Sequence, residues 1–333
     1  MASKLVFVHL GKRFPSHLLA NLEYCKRTFP HIEIVLIHNS PQSQLKKISG
    51  ISLFEYKDDD HQVKNIVVRF EKNLEFRSKF WLMTKLRFLA LADYVDTTMS
   101  SIVHIENDVW LAPYFNFEHM QGRKYSLAYP QVDRNRSIAS VMFVDGVKGA
   151  AALRDYTIRH PKLSDMELLN LIRTESSDQV VSLLSSYNLL TEKDFKFHAG
   201  KQVFDGAAIG MYLFGADPRN SFGVLRRFID FPGVEPKLSS LRFRVNEQKL
   251  EVVSGSNFLA IACLHVHSKT ETLFYGNYED TLKKVLADQK AGRNSNFLFK
   301  IFIKSIIEIM DLAISKALRV IGAFVTRNRF DRL

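Results

Sequence analysis

Cysteine is nearly absent from this chain: Cys25 and Cys263 are the only two in 333 residues. Each lies in an apolar stretch, so two buried thiols in a reducing compartment are expected, not a disulfide scaffold. A glycine-rich phosphate loop is missing as well. Neither G-x-G-x-x-G nor a P-loop occurs, so any phosphate must be held by other means. The start, M-A-S-K-L-V-F-V-H-L-G, lacks the apolar run of a signal peptide, and a cytoplasmic location is expected. No basic stripe interleaves with aromatics, which speaks against a nucleic-acid groove. Disorder is excluded as a default by composition, with 46% hydrophobic and 24% charged residues.

What the chain has in excess is positive charge, +11 net, which points to anionic partners such as nucleotide phosphates or an anionic membrane surface. Its most informative stretch is residues 101–113, S-I-V-H-I-E-N-D-V-W-L-A-P. Residues 101–105 are apolar on both faces, as in a strand buried inside an α/β sheet. That strand runs into Glu106 and Asp108, which share one side of an extended backbone at i, i+2 spacing. Two convergent carboxylates repel unless a cation or a shared proton lies between them. Oxygen ligands of this kind suit Mg²⁺ or Mn²⁺ bridged to substrate phosphates. Taken alone, E-x-D is also an ordinary acidic turn after a strand.

Around this stretch the patterning alternates. Residues 4–10 read as a first, central strand, 15–29 as a helix stopped by Pro30, 33–37 as a second strand and 51–56 as a third. Parallel pairing of the first two strands is expected. Residues 80–94 form a strongly helical segment leading into the acids. Strands are expected at 125–129 and 140–144, and helical segments at 163–190. Asp205 precedes a small-residue helix at 206–213. An Asp there is an N-cap, and its glycines and alanines permit close backbone approach to a ligand or a sheet. Residues 258–267 read as a buried strand ending in H-V-H-S-K, which sets His265 and His267 on one face with Lys269 beyond. Residues 296–325 are apolar around most of a helix, with a polar stripe at Lys300, Lys304, Glu308, Asp311 and Ser315. Glu308 and Asp311 would fall mid-bilayer, so a transmembrane span is not expected. An in-plane amphipathic helix anchored by Arg327, Arg329 and Arg332 is one reading, and packing on protein or oligomerisation the other.

Together these features resemble GT-A fold nucleotide-sugar glycosyltransferases, particularly bacterial enzymes building capsule or lipopolysaccharide glycans. The resemblance covers about residues 4–275. It implies a Rossmann-like α/β fold with a mixed, mostly parallel sheet flanked by helices. Residues 1–290 would form the catalytic domain, with a nucleotide-binding half at 1–110 and an acceptor half at 111–290. Residues 291–333 would form the amphipathic tail. By the same resemblance Asp108, with Glu106, would hold Mn²⁺ or Mg²⁺, with His265 or His267 completing the shell and Lys269 near the diphosphate. The strand ends at His9, Gly11, His38 and Asn39 would flank the nucleoside, while Lys85 or Arg87 and Asn107 would contact the nucleotide-sugar. Asp205 would be the base of an inverting transfer to a glycan or lipid-linked acceptor, or would bind donor hydroxyls in a retaining one. Metal-dependent phosphohydrolase or nuclease activity and a non-enzymatic membrane scaffold are the competing classes.

Overall fold

The computed structural model describes residues 4–41, 48–57, 78–117, 125–176, 180–183, 202–214, 242–254, 256–267 and 271–290. The tail at 291–333 and Lys269 lie outside them.

Strand β1 (Lys4–His9) has Leu5, Val6, Phe7 and Val8 all buried, so both of its faces are covered. Leu5 and Phe7 join one core cluster and Val6 and Val8 another, the period of two expected of a strand sandwiched between layers. Helix α1 (Ser16–Thr28) buries Leu18, Leu22 and Cys25, an i, i+4, i+7 stripe. Lys26 and Arg27 sit in its last turn, where cations favour the helix dipole. Strands β2 (Glu33–His38) and β3 (Ser52–Glu55) follow, and β1–β2 and β2–β3 pair in parallel as the patterning requires.

Helix α2 (Ser78–Thr98) then leads into β4 (Ile102–Ile105), parallel to β1. Beyond it come β5 (Val109–Leu111), β6 (Leu127–Pro130), β7 (Val141–Val144), α3 (Gly146–Arg159) and α4 (Asp165–Glu175). Strand β8 (Val180–Leu183) pairs in parallel with β6. It falls where helical segments were expected at 163–190; only α4 is helical there among the described residues, and the V-V-S-L run favours an extended backbone. The first sheet has the order β3-β2-β1-β4-β7-β6-β8, with four parallel and two antiparallel pairings. A mixed, mostly parallel sheet flanked by helices is therefore what the chain forms.

A second, mainly antiparallel sheet was not foreseen. It comprises β10 (Arg242–Asn246), β11 (Lys249–Ser254), β12 (Asn257–His265) and β5, with β9 (Gln202–Phe204) alongside β12. Two of its members, β5 and β9, are three residues long, too short for periodicity to register. Helices α5 (Ala208–Phe214), α6 (Thr272–Tyr275) and α7 (Tyr278–Lys290) complete the described fold. Among the described residues no helix is long and apolar enough to cross a membrane.

Candidate metal centre

Residues 106–108 join the two sheets, because β4 belongs to the first and β5 to the second. The junction is tight: Val109 N donates to the Glu106 carbonyl at 3.0 Å. Asn21, a polar side chain buried in α1, donates to the carbonyls of Asn107 (3.2 Å) and Val109 (2.8 Å). Strand β5 then pairs antiparallel with the end of β12, Val109 standing opposite His265. Val266 N donates to the Asp108 carbonyl at 2.7 Å. Sheet register thus carries an imidazole to two carboxylates more than 150 residues away in sequence.

His265 Nε2 lies 3.3 Å from Asp108 Oδ1 and 3.4 Å from Glu106 Oε2. These three residues are a group that can hold a metal ion, their ligand atoms all within 4.8 Å of one another. The other imidazole nitrogen, Nδ1, is 2.9 Å from the Gly206 carbonyl. A carbonyl only accepts, so Nδ1 carries a proton and Nε2 is the nitrogen offered to the acids, the arrangement in which imidazole ligands are usually held. Burial works against protonating this ring, yet Asp108, its hydrogen bond and Glu106 raise its pKa to about 9. In the cation-free protein at neutral pH a proton on Nε2 therefore stands between the two acids.

Arg87 on α2 reaches Glu106 Oε1 at 2.5 Å with one arm and Asp165 Oδ2 at 2.9 Å with the other. With neutral His265, the charges of Glu106, Asp108, Asp165 and Arg87 sum to −2, which one divalent cation balances. Asn107 Oδ1, in the turn between the acids, is buried without a hydrogen-bond partner, a further oxygen donor at this point of the chain. Two carboxylates and one imidazole suit Mn²⁺ or Mg²⁺ with coordination positions left for phosphate oxygens.

Of the two expectations for Asp205, helix cap and proton acceptor, the structure shows the cap. Asp205 is fully buried, and its Oδ1 accepts from Ala207 N and Ile209 N, both at 3.0 Å. Its Oδ2 accepts from Gly210 N (2.6 Å) and His265 N (3.0 Å). Burial raises its pKa, and the bonds to His265, Gly210 and Ile209 oppose the rise. With both oxygens taken up by backbone donors, Asp205 clamps the start of α5 onto β12 and is not placed to draw a proton from an acceptor. Gly210 shows how close that contact is: a Cβ there would lie 2.0 Å from the His265 carbonyl oxygen. The small residues of this helix serve approach to a sheet.

Other expected positions divide. His267 lies outside the three-residue group and stacks on His265, ring centroids 4.0 Å apart at 22°. Lys85 is fully buried and donates to the carbonyls of His160 (2.5 Å) and Leu163 (3.1 Å), so it secures the α3–α4 turn and does not face a nucleotide. Arg87 is buried between two acids instead of being offered to a phosphate. His9, Gly11, His38 and Asn39 gather at the carboxyl ends of β1 and β2. His9 stands opposite His38, Gly11 N donates to Asn39 Oδ1 at 2.8 Å, and Phe14 makes ring contacts with both histidines. Burial lowers the pKa of both rings. Val6 is opposite His104, so the end of β1 that carries His9 lies at the same edge of the sheet as the end of β4 that leads into the acids.

Two contributors escaped the sequence reading. Asn21 leaves a weak trace, a polar residue inside an apolar helical stripe. Asp165 follows Ser164 at the head of α4, where Ser164 and Glu167 form a capping box, an S-x-x-E signature readable in advance.

No protein-family model and no curated protein matches the chain. Among solved structures it is similar to the galactosyltransferase LgtC in complex with donor and acceptor sugar analogs, at 10% identity over 57% of this chain and 79% of that one, TM-score 0.41. It is likewise similar to mouse xyloside xylosyltransferase 1 in its apo form, at 8% identity over 56% and 87%, TM-score 0.39. A third is the PaToxG glycosyltransferase, at 10% over 59% and 74%, TM-score 0.37. These likenesses concern the path of the chain; the chemistry rests on Glu106, Asp108 and His265.

Proposed function

We propose that the protein is a metal-dependent glycosyltransferase of the GT-A kind, moving a sugar from a nucleoside-diphosphate donor to a hydroxyl of a glycan or lipid-linked glycan in surface polysaccharide synthesis. The observation that carries this reading is the convergence of Glu106, Asp108 and His265 at the carboxyl end of β4. Open α/β sheets bind ligands outside the carboxyl ends of their strands, and in this sheet the end of β1 adjoins β4, which leads into the acids, with β2 on its other side.

Glu106, Asp108 and His265 hold Mn²⁺ or Mg²⁺ in this reading. When bound, the cation supplies Lewis-acid stabilisation of charge on a diphosphate, worth several kcal/mol. The protein's own residues do the rest. The carboxylates give the centre its net negative charge, Gly206 fixes which imidazole nitrogen faces inward, and the His9–Asn39 cluster is the place for a nucleoside. In the transfer, the bond from the anomeric carbon to the diphosphate oxygen breaks, its electron pair leaving on the diphosphate. The acceptor oxygen forms the new bond, and its proton passes to the departing diphosphate or to solvent. With both oxygens of Asp205 held by backbone donors, inversion with Asp205 as base loses support. A retaining course needs no such base, and the anomeric configuration of the product, read by NMR, decides between the two.

The tail at 291–333 belongs to the same proposal on its sequence pattern. Its apolar face and terminal arginines fit a peripheral helix on the inner, anionic face of the cytoplasmic membrane. A thermal-shift screen of nucleotide-sugars with and without Mn²⁺ tests the reading, since a ligand that binds only the native state raises the melting temperature. The expected result is a shift with donor and Mn²⁺ together that exceeds the sum of the separate shifts. Additive shifts across the whole donor panel contradict it.

A further inference from the structure

The two oxygens of Glu106 have different neighbours. Oε1 receives Arg87 Nη1 at 2.5 Å, and Oε2 is the one 3.4 Å from His265 Nε2. Arg87 is itself held from the far side, since its second arm donates to Asp165 Oδ2 at 2.9 Å. Asp165 does not wander, because it is buried at the head of α4 behind the Ser164 capping box. From the same helix as Arg87, Lys85 ties down the carbonyls of His160 and Leu163 just before α4 begins. The planar fork of a guanidinium spans two carboxylates at once, which a lysine ammonium does not reproduce. Glu106 is thus oriented by the protein before any ligand arrives.

We propose that Arg87 is a positioning residue for the choice of cation: by occupying Oε1 it leaves Glu106 a single oxygen to offer, and so biases the centre toward Mn²⁺ or Mg²⁺ and against Ca²⁺. Calcium takes about six to eight oxygen ligands and often grips a carboxylate by both of its oxygens. Smaller ions take one oxygen from each of one or two carboxylates and fill the rest of an octahedron with water and phosphate. Asp108, a one-oxygen Glu106 and an imidazole nitrogen answer the second demand and not the first. This inference rests on the cation half of the function proposed above and is independent of sugar transfer.

Calorimetric titration of the full chain with Mn²⁺ and with Ca²⁺ tests it. The decisive variant is the double substitution Arg87→Met with Asp165→Asn. It removes one positive and one negative charge, so the centre keeps its net −2 while Glu106 Oε1 is released. The ratio of the Ca²⁺ to the Mn²⁺ dissociation constant is expected to fall about tenfold or more, the usual scale for losing an outer-shell partner. Arg87→Lys, which keeps the charge and loses the fork, moves the ratio in the same direction and carries the test if the double variant does not fold. An unchanged ratio in a variant that unfolds cooperatively overturns the proposal, because a purely structural role for Arg87 weakens both ions alike. Wild-type protein that binds neither ion overturns the cation reading itself, and this inference with it.

Discussion

Gly210→Ala probes how tightly the centre is built. The added methyl would lie 2.0 Å from the His265 carbonyl oxygen and 2.8 Å from Asp205 Oδ2. Cβ contacts under 3.0 Å are essentially never seen, so α5 must withdraw from β12 by about 1 Å or more. Withdrawal stretches the 2.6 Å bond from Gly210 N to Asp205 Oδ2, the shortest of the four that the carboxylate accepts. Overpacking of this kind costs about 1–3 kcal/mol, and a weakened hydrogen bond to a charged group up to about 1.5–3 kcal/mol more. The intrinsic helix preference of alanine over glycine returns about 1 kcal/mol. A net loss of roughly 1.5–5 kcal/mol follows. Urea denaturation followed by far-UV circular dichroism reads it as a lower midpoint at unchanged slope. Because Asp205 also holds His265 N, the same variant weakens Mn²⁺ binding. A midpoint equal to or above that of the wild type refutes the packing argument.

Further outcomes follow, most from the same geometry and the last from the sequence pattern of the tail. Asp205→Asn replaces one acceptor oxygen by an amide donor facing two backbone N–H groups, so stability falls by about 2–5 kcal/mol and Mn²⁺ affinity falls with it; a folded, fully stable but inactive variant would restore Asp205 as a base. His265, with its pKa raised to about 9, must shed a proton when a cation binds, so apparent Mn²⁺ affinity measured by titration climbs from pH 7 to about 9 and then levels. The sign for the cation-free protein is the reverse. The raised pKa contributes stability that is fully present below about 6.5 and lost as pH rises through about 9, so its melting temperature drops over the interval in which Mn²⁺ binds better. Replacing Ile306, Ile307 and Met310 with Glu releases the protein from anionic vesicles in a sedimentation assay, and unchanged sedimentation rules out the membrane role of the tail.

The sequence made the first sheet legible because its strands are continuous apolar runs and its helices carry long stripes; β1, α1, β2 and β4 lie where the patterning put them. The second sheet was not legible. Its longest strand, β12, overlaps the stretch expected to be extended, but two of its members have only three residues and its assembly depends on pairings such as Val109 with His265, which no local window contains. At the centre, Glu106 and Asp108, and His265 together with His267, stood out because a buried strand rarely ends in charge without a reason. Lys85, Arg87 and Asp205 stood out equally and were given contacts with ligand that the structure assigns to protein. Residue type alone could not separate them: a buried cation bridging two acids and a buried carboxylate accepting four N–H groups look, in one dimension, like residues waiting for a substrate. The difference is burial and partner count, both properties of the folded chain.

One measurement bears most directly on the centre: crystals grown with Mn²⁺ and a nucleoside diphosphate, with anomalous scattering recorded at the manganese edge. A peak within bonding distance of Glu106, Asp108 and His265 Nε2, with diphosphate oxygens on its open side, is the predicted result. A peak elsewhere, or a nucleotide bound away from these three side chains, contradicts it.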